Sequence, residues 1–157
     1  MKTSIVVALT LTFSQIAAAG GDLYPTADCM QRLTHDVRLQ ALDRKVALGL
    51  GDEATPALLA LDRTATVMER VALRLWMELR QECFALGAAH RAAAHAELPL
   101  LADRMFSAQQ QLLGELREGR ASFGEFNRRR LELWQTERRQ QAELLGTDKL
   151  QTAAALR

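Results

Sequence analysis

The feature that most limits the fold of this chain is its wealth of helix-forming residues. After Thr26 the sequence consists largely of Ala, Leu, Arg, Glu and Gln, all good helix formers. No stretch alternates between apolar and polar residues as a half-buried strand would, and apolar residues recur instead at three- and four-residue spacing. The sequence therefore predicts an all-α fold.

Prolines, caps and glycines mark the first two helices. A first helix is predicted to open at Pro25-Thr26 and to be stopped by Gly49 and Gly51, since glycine commonly ends a helix. Thr55-Pro56 is a second start, a cap followed by proline in the first turn. From there the apolar pattern runs to about Ala96, and Leu98-Pro99 is predicted to end it.

Two further helices follow. The third is predicted to end at Gly119, and Ser122 with Glu125 three residues later forms a capping box for the fourth. Gly146 is predicted to close that helix. Four helices joined by short turns indicate antiparallel, bundle-like helical hairpins.

The N-terminus has the pattern of a cleaved secretory signal peptide. A basic start, an apolar stretch over residues 5–13 and small residues at 17–19 predict export and cleavage. We expect a signal peptide at 1–19, a helical domain at 20–146 and a flexible tail at 147–157. The predicted location is the periplasm, with secretion as the alternative.

Cys29 and Cys83 are the two cysteines of the chain. In an oxidising compartment this even count predicts an intramolecular disulfide, with free thiols or an intersubunit link as alternatives. Bridged residues of an antiparallel hairpin lie equally far from its turn, and the midpoint here is Pro56. A single helix from Pro56 onward would misplace Cys83, so the chain is predicted to break between Leu61 and Thr66.

Charge argues against two classes of partner. The chain has 20 Lys and Arg against 19 Asp and Glu, and removal of the signal peptide takes away Lys2 and leaves a neutral protein. A neutral chain has no overall attraction to nucleic acid or anionic lipid. The N-terminal apolar stretch is also too short and too interrupted for stable membrane insertion.

Catalytic and cofactor motifs are absent from the sequence. No serine or cysteine lies in a nucleophile motif, and no glycine-rich phosphate loop occurs. We therefore predict neither catalysis nor a cofactor. His90 and His95 are candidate metal ligands, but five residues on a helix turn the two rings about 140° apart. The alternatives are a metal-binding or metal-sensing protein using this pair and, more weakly, a hydrolase.

Basic clusters near the C-terminus mark a possible surface for a protein partner. Between residues 135 and 141 the fourth helix has no apolar residue for two turns, although the rest of it is amphipathic. Such a stretch either projects or lies against a polar partner. The predicted partner surface comprises Arg128, Arg129, Arg130, Gln135, Arg138 and Arg139.

The segment from Leu113 to Leu131 contains leucines, a glycine, the Ser122 cap, Glu125-Phe126 and then basic residues, in that order. Locally this order resembles the short helical hairpin of SHOCT-type domains. The resemblance implies oligomerisation or partner binding. Together these features predict an exported, non-enzymatic binding or scaffold protein, with its partner and oligomeric state left open.

Overall fold

The structure, a computed structural model, describes residues 25–49, 54–93 and 97–155, with side chains as far as residue 146. Helices make up most of these ranges and no strand occurs in them, which confirms the all-α prediction. The predicted signal peptide at 1–19 lies outside the described residues. Within the described ranges no helix combines the length and the apolar character needed to cross a bilayer.

The first helix is shorter than predicted. Helix α1 spans Pro25–Arg32, and two 3-10 turns follow it at Leu33–His35 and Val37–Leu42. The prediction of one helix as far as Gly49 is wrong. The chain leaves the α-helical path at Asp36, where the backbone is extended. The carboxylate of Asp36 accepts a hydrogen bond from the backbone amide of Arg38, which replaces a helical hydrogen bond.

The next region breaks where the cysteine positions predicted. Helix α2 covers only Pro56–Leu59, residues 61–66 are not helical, and helix α3 runs over Val67–Leu86. Thr66 and Glu69 form a capping box that begins α3. The break confirms the prediction made from the cysteine positions, because it allows the chain to fold back and bring Cys29 and Cys83 together.

Helix α3 ends well before Ala96, so the prediction of one helix to that residue is wrong. Gly87 follows its last residue, and a Cβ atom at Gly87 would lie 1.8 Å from Thr26 Oγ1. Only glycine allows α1 to pack this closely on the backbone. A short helix α4 at Ala88–Ala92 then follows.

Proline opens the next helix and does not end the previous one. Helix α5 spans Glu97–Arg117, and Leu98-Pro99 lies in its first turn, where the missing N–H of proline is not needed. The prediction that this dipeptide ends a helix is wrong. Gly119 ends α5 as predicted, with a φ of +77° that favours glycine.

The last helix, α6, spans Phe123–Ala155. Ser122 caps it as predicted, since its Oγ accepts the amide of Glu125 at 3.2 Å. Gly146 was predicted to close this helix, but the helix continues through it, as an exposed glycine permits at a cost of about 1 kcal/mol. The flexible tail at 147–157 stays a prediction.

The long helices pack on one another, α3 against α5 and α5 against α6. Phe84 of α3 stacks on Phe106 of α5, with ring centroids 4.1 Å apart. Across the turn between α5 and α6, Glu115 accepts a hydrogen bond from Arg129 at 2.5 Å. The most deeply buried large side chains of the resulting core include Leu39, Leu42, Leu73, Trp76, Leu113, Leu116, Phe123 and Phe126.

Cys29 and Cys83 form the predicted disulfide, with Cα atoms 5.3 Å apart. The bond joins α1 to the C-terminal half of α3, and Cys83 is fully buried. Helix α1 has only eight residues, and the disulfide, the packing at Gly87 and the buried side chain of Met30 hold it against the rest of the fold.

A buried ion network lies at the N-terminal end of α3. Glu69 is only 4% exposed, and Arg63 donates two hydrogen bonds to its carboxylate, at 2.9 and 2.7 Å. Lys45 lies 2.8 Å from the same carboxylate, and the Thr66 amide donates to it at 2.8 Å. The bonds from Arg63, supported by Lys45, hold the pKa of Glu69 well below its usual range.

Candidate functional site

A cleft of about 320 Å³ lies between α1, α3, α5 and α6, beside the disulfide. Apolar side chains form its walls: Met30 from α1, Phe84 from α3, Phe106 from α5 and Trp134 from α6. Four arginines also line it, and we therefore name it the arginine cleft. They are Arg80, Arg91, Arg130 and Arg138.

Arg80 is the most unusual residue of the cleft. It lies on the core side of α3, one turn before Cys83, and is only 5% exposed. Its five N–H donors have a single acceptor among the described residues, Gln109 Oε1, at 2.5 Å from Nη2. The Nε atom is buried without a hydrogen-bond partner. Arg80 therefore has donors that the folded chain does not use.

The charge of Arg80 interacts with that of Glu137 but forms no salt bridge among the described residues. No carboxylate lies within salt-bridge distance of it in the described part of the chain, and its guanidinium faces the rings of Trp76 and Phe106, at 5.4 and 5.9 Å from their centroids. Burial and the nearby charge of Arg130 lower the pKa of Arg80 to about 9, although Glu137 opposes that change. The group is still a cation at neutral pH.

Arg130 is the second buried arginine, also 5% exposed. Its two terminal nitrogens donate to the carbonyl oxygens of Ala47 and Gly49. Its guanidinium lies 5.7 Å from the Trp76 ring centroid. Arg130 thus holds the segment after the 3-10 turns against α6 and places a second positive charge in the cleft.

The other two arginines stack on aromatic walls. The guanidinium of Arg91 lies 3.6 Å from the Phe84 ring centroid and donates to the Phe84 carbonyl at 2.7 Å. Arg138 lies 4.6 Å from the ring centroid of Trp134. Both arrangements keep a positive charge on a ring face at the edge of the cleft.

Glu137 is the one carboxylate among the described lining residues. Burial raises the pKa of Glu137, and the charge of Arg80 works in the opposite direction. Against four arginines, this single carboxylate leaves the cleft with an excess of positive charge.

His90 also lines the cleft, but it is an exposed residue of α4. The second predicted metal candidate, His95, lies outside the described residues. Within the described ranges no group of three His, Cys, Asp or Glu side chains has the arrangement of a metal site. The predicted pair therefore gains no third ligand from the described part of the fold.

The structure separates the residues of the predicted partner surface into three groups. Arg130, which is buried, and Arg138 line the arginine cleft, whereas Gln135 is exposed. The remaining three make local contacts: Arg128 with the Leu59 carbonyl, Arg129 with Glu115 and Glu125, and Arg139 with Thr136. Neighbours in the sequence thus lie on different sides of one helix.

Sequence reasoning missed Arg80, although the sequence holds a signal for it. Leu73, Trp76, Arg80 and Cys83 follow three- and four-residue spacing, so the arginine occupies a position of the apolar stripe. Arg130 lies in the same way four residues after Phe126. A charge at a core position of a helix is the pattern that would have indicated this site.

Comparison of the chain with protein families, with curated proteins and with solved structures finds no match. The fold and the cleft define an all-α, disulfide-linked protein with a cationic, aromatic-walled cleft.

Proposed function

We propose that this chain is an exported, non-enzymatic binding protein of the periplasm that holds its ligand in the arginine cleft. In this proposal the signal peptide at 1–19 directs export and is removed. The helices of the mature chain form a bundle of antiparallel hairpins, and the disulfide closes it at the cleft.

The observation that supports this proposal is the buried Arg80 beside aromatic walls, which has an Nε without a hydrogen-bond partner and forms no salt bridge among the described residues. Binding sites combine apolar surface with a few polar groups that fix the ligand, and the volume of the cleft falls within their usual range. The described residues that line it include Thr26, His90 and Glu137 but no serine, cysteine or lysine. This composition favours holding a molecule over transforming it.

Export is tested by fractionation of the producing cells and by the mass of the protein. We expect the protein in the periplasmic fraction, with a mass that corresponds to a start at Gly20 and to an oxidised cysteine pair. A cytoplasmic protein that retains residues 1–19 would contradict this part of the proposal.

Ligand binding in the cleft is tested with a neutral apolar probe, N-phenyl-1-naphthylamine. We expect saturable binding of one probe molecule, and Ala102→Phe should abolish it because Ala102 lines the cleft. Ser107→Phe is the matched control, since Ser107 is exposed on the same helix. Equal binding by both variants would show that the probe binds elsewhere and would count against the proposal.

A further inference from the structure

We infer that the arginine cleft is specific for a small organic monocarboxylate: an anionic head that reaches Arg80, carried on an apolar chain or ring. The inference rests on the proposed function and adds the chemical class of the ligand. It depends on the unused donors of Arg80, the volume of the cleft and the charges that surround it.

Arg80 is a buried cation whose charge no salt bridge neutralises among the described residues, and a bound anion would relieve the cost of that burial. The planar fork of a guanidinium matches the two oxygens of a carboxylate. Arg80 has such donors to spare, because only Gln109 accepts from it in the described part of the chain.

The charged groups around Arg80 favour a ligand with a single negative charge. Arg130 directs both terminal nitrogens at backbone carbonyls, so its charge attracts an anion while these donors are engaged. Arg91 and Arg138 are stacked on ring faces, and Glu137 adds a carboxylate to the same lining. The fork of Arg80 shares the cleft with the carboxylate of Glu137, which would repel a phosphate dianion more strongly than a monoanion.

The walls and the volume of the cleft favour a small ligand with an apolar chain or ring. Phe84, Phe106, Trp134 and Met30 present apolar surface around the charged base of the cleft. A volume of about 320 Å³ is at the small end of ligand sites, which favours a small molecule over a peptide segment. Apolar walls of this kind bind an alkyl chain or a ring.

The experiment is isothermal titration calorimetry of the purified, disulfide-bonded protein with octanoate, octanol, octylamine and octyl phosphate. Octanoate should bind at least about tenfold more tightly than octanol, because a charge-assisted hydrogen bond of about 1.5 kcal/mol corresponds to that ratio. Octylamine should bind most weakly. Equal binding of octanoate and octanol would overturn the inference, as would tighter binding of octyl phosphate.

Variants of Arg80 locate the effect. Arg80→Met should reduce octanoate affinity to that of octanol and leave octanol binding within about threefold of wild type. Arg80→Lys keeps the charge without the fork and should fall between the two. Arg74→Met is the matched control, because Arg74 is exposed on α3 outside the cleft. An octanoate preference that survives Arg80→Met would also overturn the inference.

Two outcomes separate this inference from the proposed function. If octanoate and octanol bind equally and Ala102→Phe blocks both, the cleft is a binding site without anion specificity. If Ala102→Phe blocks none of the probes, the proposed function fails as well. The comparison of octanoate with octanol needs no variant, so it decides the question even where a substitution impairs folding.

Discussion

Helix α3 carries a buried charge near each end, and the two charges have opposite surroundings. Near its N-terminus, Glu69 accepts hydrogen bonds from Arg63 and from the Thr66 amide and has Lys45 beside it. Three turns further along, Arg80 is similarly buried, but it has one neutral acceptor, and the nearby Glu137 forms no salt bridge with it. The charge of Glu69 is therefore neutralised by direct ion pairs, whereas that of Arg80 is not.

This difference separates a structural site from a candidate binding site. The bonds of Glu69 join α3 to the segments before it, so the charge stabilises the fold. Arg80 has one hydrogen bond, to Gln109, and two aromatic contacts, so the cost of burying its charge is less fully offset in the ligand-free protein. A buried charge without an ion pair is unfavourable in the ligand-free fold, and exceptions of this kind are expected at sites that bind a ligand.

The largest expected effect comes from breaking the link that holds α1 against the cleft. Cys83→Ser should lower the free energy of unfolding by about 4 kcal/mol, because the unfolded chain loses the constraint of a long loop. Urea unfolding under oxidising conditions measures the change. Adding Cys29→Ser should cost little more, since the bond is already lost. An unchanged unfolding midpoint would refute a stabilising disulfide.

The second effect tests the satisfied end of α3. Glu69→Gln should lower the free energy of unfolding by about 2 to 3 kcal/mol, less than for a fully buried pair because Arg63 and Lys45 remain partly exposed. Glu78→Gln, on an exposed position of the same helix, is the control. Equal stability of the two variants would show that the network contributes nothing.

The third effect is the pH dependence of that same end. The folded state keeps Glu69 ionised, because its pKa is lowered, whereas the unfolded chain takes up a proton near the ordinary value of 4.5. The contribution is therefore fully present above about pH 5 and decreases as the pH falls below the unfolded pKa. Urea unfolding of wild type and Glu69→Gln should show a difference that narrows in acid. A difference independent of pH would argue against this ionisation.

The smallest effect has the opposite sign and tests the unsatisfied end. Arg80→Met replaces a buried cation, which forms no salt bridge among the described residues, with an apolar side chain of similar length, so the ligand-free protein should be as stable as wild type or more stable by about 1 kcal/mol. Thermal unfolding measures this, with Arg74→Met as control. A clear loss of stability would mean that Arg80, like Glu69, stabilises the fold, and the proposed difference between these two buried charges would be wrong.

Features that depend on local chemistry were predicted correctly from the sequence. Ser122 caps α6 because a hydroxyl at that position satisfies a free amide, and Gly119 ends α5 because it adopts a positive φ. The break before Thr66 was also predicted, since two cysteines can bond only if the chain folds back between them.

Features that depend on packing were not predicted. Proline is common both in the first turn of a helix and just after the end of one, so Pro99 alone does not show which applies. The packing of α5 against its neighbours decides that Pro99 lies in a first turn. Arg130 was grouped with Arg128 and Arg129 by sequence adjacency. Successive residues of a helix point about 100° apart, however, so the three side chains lie in different environments.

By itself, the sequence determined that this protein is helical and that Cys29 can bond to Cys83, because propensity, caps and chain geometry are properties of short segments. Only the tertiary structure decided that Arg80 and Arg130 share one apolar cleft. These residues come from different helices, and whether a buried charge has a partner depends on what the other helices place around it.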